Sequence, residues 1–70
     1  MDLRNGQITI GELLSDPKVR KLVQQQFPGV FRHPMLQMAH QMPIYRAANM
    51  ARRYVPQAKI NQVLRMLEEL

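Results

Sequence analysis

Apolar residues recur along this chain at helical spacing, in short stretches cut apart by prolines. The first stretch is Ile10, Leu13 and Leu14, introduced by Thr9-Ile10-Gly11-Glu12. That tetrapeptide matches a capping box, in which the threonine hydroxyl accepts from the amide three residues on and the glutamate reaches back. Ser15-Asp16-Pro17 is a second start signal: Asp16 offers a carboxylate to the first free amides, and Pro17 has no amide to leave unsatisfied. Val19, Leu22, Val23 and Phe27 follow at i, i+3, i+4 and i+8, with Lys18, Arg20, Lys21 and Gln24 to Gln26 on the other side. Pro28-Gly29 ends that helix, since proline cannot continue it and glycine accepts the left-handed conformation.

Val30 and Phe31 are two apolar residues in the connection and are expected to reach the core from a loop. His33-Pro34 opens a third piece with Met35, Met38, Ala39 and Met42 on one side, and Pro43 ends it or begins the next. Ile44, Ala47, Ala48 and Ala51 repeat the stripe, and Tyr54-Val55-Pro56 is the last break. Ile60, Val63, Leu64, Leu67 and Leu70 then share one face of a final helix, with Lys59 and Arg65 off it. Strand-like alternation is confined to Gln7-Ile8-Thr9-Ile10, whose end the capping box claims. The pattern predicts an all-α fold, a compact three- to four-helix bundle with a short N-terminal lead-in turn. A flexible N-terminus is expected over residues 1–7 and a single helical domain over residues 8–70.

Length and composition narrow the class. Seventy residues make one small domain whose core is slight beside the entropy of ordering the chain. The chain has no cysteine, which excludes a disulfide framework, a thiolate metal site and a cysteine nucleophile. A secreted chain of this length would usually need such staples, so a reducing, cytoplasmic location is expected. No run approaches the ~18 apolar residues of a membrane span. The start, Met1-Asp2-Leu3-Arg4-Asn5-Gly6, lacks the apolar region of a signal peptide.

Charge is the most uneven feature. Residues 1–17 carry Arg4 against Asp2, Glu12 and Asp16. Nine bases and no acid then stand from Lys18 to Arg65, before Glu68 and Glu69 close the chain, for a net +5. Arg46, Arg52, Arg53 and Lys59 form the densest group, with Tyr45 and Tyr54 beside them, and Arg20 and Lys21 make a second patch. Clusters of this kind neutralise phosphates, which makes nucleic acid a possible partner.

Catalytic chemistry is poorly provided for. His33 and His40 are seven residues apart, about 10 Å along a helix, which is too far to share a metal. Glu68 and Glu69 are neighbours and diverge by ~100° on a helix, so they do not form an acid/base pair. Ser15 is the only serine and sits at a helix start, and the three glycines are too scattered for a phosphate loop. No enzymatic activity, no cofactor and no small-molecule substrate are expected.

Residues 44–67 also invite a helix-turn-helix reading. Val55-Pro56-Gln57-Ala58-Lys59-Ile60-Asn61-Gln62-Val63-Leu64 resembles the turn and recognition helix of that motif, with Ile60 and Val63 inward. It is a degenerate match: Tyr54 stands where glycine is usual, Arg53 where a small residue is usual, and Asn49 where an apolar one is. Met38 and Met42, with Met35, offer a flexible and polarizable face suited to a protein partner.

Taken in order, Thr9 to Leu14, Asp16-Pro17, Phe27-Pro28-Gly29, His33 to Ala39, Met42 and the closing Ile60 to Leu70 stretch resemble a small bacterial all-helical module. That module stands alone or is attached C-terminally to larger hydrolases, and its biochemical role is not established. The resemblance spans roughly residues 8–70, rests on caps, turns and core positions, and implies a non-catalytic domain. Arg52-Arg53-Tyr54 departs from it, small residues being usual there. The layout is also similar to ubiquitin-associated and CUE-type three-helix domains, in a helix ending at Phe27-Pro28 and a last helix with Val63, Leu64 and Leu67. The expected function is therefore a helical interaction module that binds a protein partner or itself. A basic nucleic-acid-binding protein is the alternative.

Overall fold

Each start signal in the sequence becomes a helix N-terminus. The computed structural model describes all 70 residues and contains α1 (Ile10–Leu14), α2 (Pro17–Gln26), α3 (Pro34–Met38), α4 (Ile44–Ala51) and α5 (Gln57–Glu68). Two 3-10 turns accompany them, at Arg4–Gly6 and Val30–Arg32, and there is no strand. The fold is a small all-α bundle with a Cα radius of gyration of 10.9 Å.

The caps follow the residue chemistry. The Thr9 hydroxyl accepts from the Glu12 amide at 3.1 Å and donates to Glu12 Oε1 at 3.0 Å. Asp16 Oδ1 accepts from the Lys18 amide at 2.9 Å, with Pro17 as the first helical residue. His33 does the same for α3, its Nδ1 accepting from the Met35 amide at 3.2 Å. Gly29 takes φ 86° and leads out of α2 into the Val30–Arg32 turn.

One cluster makes the core: Leu3, Ile8, Ile10, Leu13, Leu14, Val19, Val63 and Leu67. Although α1 has only five residues, it supplies three of these, and α2 and α5 close over it. Leu22, Val23, Phe27, Phe31, Leu36, Ile44, Ala47 and Leu64 pack half-buried around the cluster. Full burial of one such aliphatic side chain contributes ~1.5–3 kcal/mol, so few can be lost from a domain of this size.

What positions α4 is a contact between two distant pieces of backbone. The Ile10 amide donates to the Met42 carbonyl at 2.9 Å, and the Ile44 amide donates to the Ile8 carbonyl at 2.8 Å. These two bonds form an antiparallel bridge centred on Thr9 and Pro43. A third runs from the Gly11 amide to the His40 carbonyl at 2.8 Å. The first amides of α1 and α4 are thus satisfied by each other's approach segments, so two helices are capped by one contact.

Two glycines make this approach possible. A Cβ on Gly11 would lie 3.0 Å from the His40 carbonyl oxygen. A Cβ on Gly6 would lie 2.8 Å from Tyr45 Cβ, at a φ of +85° that side chains other than glycine rarely adopt.

The structure departs from the sequence pattern in three places. The methionine stripe predicts a helix through Met42, but α3 stops at Met38 and residues 39–42 turn back. Pro43 disfavours the helical region for Met42, and the His40 and Met42 carbonyls face α1 instead of continuing a helix. Leu70 lies beyond the end of α5 and is exposed, so it does not complete the α5 stripe. Residues 1–7 form a turn with positive φ at Arg4, Asn5 and Gly6, and they place Leu3 in the core. Asp2 Oδ1 accepts from the Arg4 amide at 2.8 Å within that turn, and the Arg4 guanidinium meets Glu12 Oε2 at 2.9 Å.

The hydrogen bond from the Thr9 hydroxyl, with help from the Arg4 guanidinium, holds the Glu12 carboxyl below the usual glutamate range. A carboxylate with a lowered folded-state pKa stabilises the fold when ionised, and that contribution fades as pH falls through the lowered value. Glu12→Gln should therefore lower stability at neutral pH, and its difference from the parent should be smaller at pH 3 than at pH 7. Urea denaturation at both pH values reads this, and a difference independent of pH would contradict it. Gly6→Ala should cost about 2 kcal/mol or more in the same measurement, because the strained φ and the Tyr45 contact act together. Stability equal to the parent would show that the 6–11 and 40–45 segments do not meet closely.

Candidate functional site

Position on a helix decides which bases are available. In α4, Ile44, Ala47, Ala48 and Ala51 turn inward and are half-buried. Tyr45, Arg46, Asn49 and Met50 are exposed on the other side, and the chain leaves the helix into Arg52, Arg53 and Tyr54, also exposed. Arg46, Asn49, Met50 and Arg53 follow one another at i, i+3, i+4 and i+7, so they form one stripe. The Arg53 amide donates to the Met50 carbonyl at 3.4 Å and the Tyr54 amide to the Ala51 carbonyl at 2.9 Å, which continues the helical winding through these residues. An Arg52 guanidinium nitrogen lies 3.5 Å from Asn49 Oδ1, which brings Arg52 to the same stripe.

The outcome is a stripe of three arginines and an amide without a carboxylate among them; Tyr54 follows it directly in the chain, and Tyr45 stands on the side of α4 that faces Gly6. Tyr54 is 85 % exposed and Tyr45 47 % exposed. The structure's one salt bridge joins Arg4 to Glu12, so none of the nine bases between residues 18 and 65 is paired with an acid. Asn49 enters the sequence reading only as a mismatch to the helix-turn-helix motif, and Met50 has no place in it. Their signal was the spacing of three and four residues from Arg46, legible once the helix boundaries are fixed.

The remaining predicted residues are placed differently. Lys59, in the first turn of α5, donates to Gln26 Oε1 at 2.6 Å, and its ammonium lies 6.0 Å from the centre of the Phe27 ring. Arg20 turns back over Phe31 at 5.1 Å and reaches the Leu14 carbonyl at 3.4 Å. These two cations join elements of the fold: Lys59 ties α5 to α2, and Arg20 ties α2 to the end of α1 and the Val30–Arg32 turn. Lys21, next to Arg20, is exposed. Met38 is 82 % exposed at the end of α3, while Met42 is half-buried at the backbone bridge, so the structure does not bring the two methionines onto one open face.

Other polar groups are engaged locally. Asp2, Glu12, Asp16 and His33 all accept from nearby backbone amides or, for Glu12, from Thr9 and Arg4. A cleft of about 400 Å³ opens between the N-terminal turn, α4 and α5, with Asp2 and Glu68 at its edge and Leu3, Ile44 and Leu64 along it. It lies beside Tyr45 but contains none of the bases. No helix is long and apolar enough to cross a membrane.

The two sets of bases should separate on substitution. Lys59→Ala should lower stability by about 0.5–1.5 kcal/mol through the lost hydrogen bond and ring contact. Arg46→Ala and Arg53→Ala should stay within about 0.5 kcal/mol of the parent. Chemical denaturation of the three variants checks this, and equal effects at all three positions would contradict the division.

No protein-family model, curated protein or solved structure matches the chain.

Proposed function

We propose that the protein is a non-catalytic helical interaction module that docks an anionic partner on the outer face of α4 and residues 52–54. One observation carries this reading: Arg46, Arg52 and Arg53 stand exposed together, flanked by Tyr45 and Tyr54, with no acid to neutralise them. Their side chains are not needed to hold the bundle together, unlike those of Arg20 and Lys59. Arginine and tyrosine are enriched where interfaces derive their energy, because each combines a large contact area with directional hydrogen bonds. A net charge of +5 opposes docking of a second copy through this face and favours a partner of opposite sign. An acidic protein surface and a nucleic acid both meet that requirement. The absence of cysteine suits a reducing compartment, and we place the module in the cytoplasm.

A photo-crosslinking residue placed at Tyr54, and separately at the exposed Gln25 of α2, tests the location of the surface in living cells. A partner should be captured from position 54 and not from position 25, and capture should be lost when Arg52 and Arg53 are both changed to glutamate. Equal capture from both positions, or capture indifferent to charge reversal, would contradict the proposal.

A further inference from the structure

We propose that the anionic partner is single-stranded nucleic acid, its phosphates held by Arg46, Arg52 and Arg53 and its bases stacked on Tyr45 and Tyr54. This inference rests on the docking surface proposed above and names its ligand.

The cations come first. All three are arginines, whose planar forks bind phosphate in two parallel hydrogen bonds. Arg46 and Arg53 are seven residues apart, about 10 Å along the winding at 1.5 Å per residue. That length is enough for the stripe to meet more than one phosphate of a single strand. The nine bases between Lys18 and Arg65, uninterrupted by acid, add a long-range field that draws a polyanion toward it.

The tyrosines choose between partners. Both rings are exposed, at 47 % and 85 %, and the ring contacts with cations involve Phe27 and Phe31 instead. An acidic protein patch would satisfy the arginines, but its carboxylates offer no flat face to these rings. Bases cover them, because every base has a flat face and stacking is tolerant of sequence. Asn49 lies on the arginine stripe with its Oδ1 toward Arg52, which leaves its amide nitrogen for a base edge. Stacking on a side chain requires bases that are not already stacked and paired in a duplex, which selects a single strand. RNA and DNA share all of this chemistry, so both belong in the test.

The experiment is fluorescence anisotropy with labelled 12-nucleotide probes: oligo(U), oligo(dT), a duplex of the same length, and an abasic strand carrying phosphates without bases. At low salt the parent should bind oligo(U) or oligo(dT) at least about tenfold more tightly than the abasic strand and the duplex. Y45A/Y54A should lose most of that advantage while keeping abasic binding. R46E/R52E/R53E should lose binding to every probe. The single changes Arg46→Ala and Arg53→Ala should each weaken binding and reduce the log–log salt slope by about 0.7. Equal affinity for abasic and base-bearing strands, or preference for the duplex, would overturn the inference. No binding to any probe, with a protein captured from position 54, would also overturn it while leaving the docking surface standing. Absence of both would overturn the two proposals together.

Discussion

Three backbone hydrogen bonds, from Ile10 to Met42, Gly11 to His40 and Ile44 to Ile8, carry the organisation of this domain. A helix of five residues is too short to be stable alone, since nucleation fixes several residues before the helical bonds accumulate. Here the first amides of α1 find acceptors in a segment some thirty residues away, and the first amide of α4 finds one beside α1. The bridge thereby completes two helix ends and sets the direction in which each leaves. Ile8 and Ile10, on either side of Thr9, enter the core from the same contact.

The proposed surface depends on that bridge. With its start pinned at Ile44, α4 lies against the N-terminal turn and buries its small inward residues, Ala47, Ala48 and Ala51, only partly. Alanines allow close approach without a large apolar face, so the opposite side remains free for Tyr45, Arg46, Asn49 and Met50. The acid-free stretch matters because carboxylates at the same spacing would have paired with these arginines. Instead Asp2 and Asp16 accept from backbone amides, and the Glu12 carboxylate accepts from the Thr9 hydroxyl and pairs with Arg4.

Much of the helical plan was legible because it is local. Thr9 with Glu12, Asp16 with Pro17, and Pro28 with Gly29 act within a few residues, and the structure shows each in its expected place. The α5 stripe through Ile60, Val63 and Leu67 was legible for the same reason. The bridge was not, because Ile8 and Met42 carry no mark of their pairing, and a backbone bond to a distant partner leaves no residue signature. Without it, the methionine stripe reads as a helix through Met42, and Leu3 carries no sign of its place in the core. At the surface, charge and spacing marked Arg46, Arg52 and Arg53, but they could not show that Lys59 and Arg20 fold back on Phe27 and Phe31. That depends on where α2, α5 and the Val30–Arg32 turn meet in space.

Native-state hydrogen exchange followed residue by residue reaches the central constraint directly. If the bridge holds the fold together, the amides of Ile10, Gly11 and Ile44 open only with global unfolding, and exchange as slowly as those of Val63 and Leu67 in α5. Exchange at those three amides as fast as in exposed turns, with α5 still protected, would contradict it and detach α4 and its surface from the core.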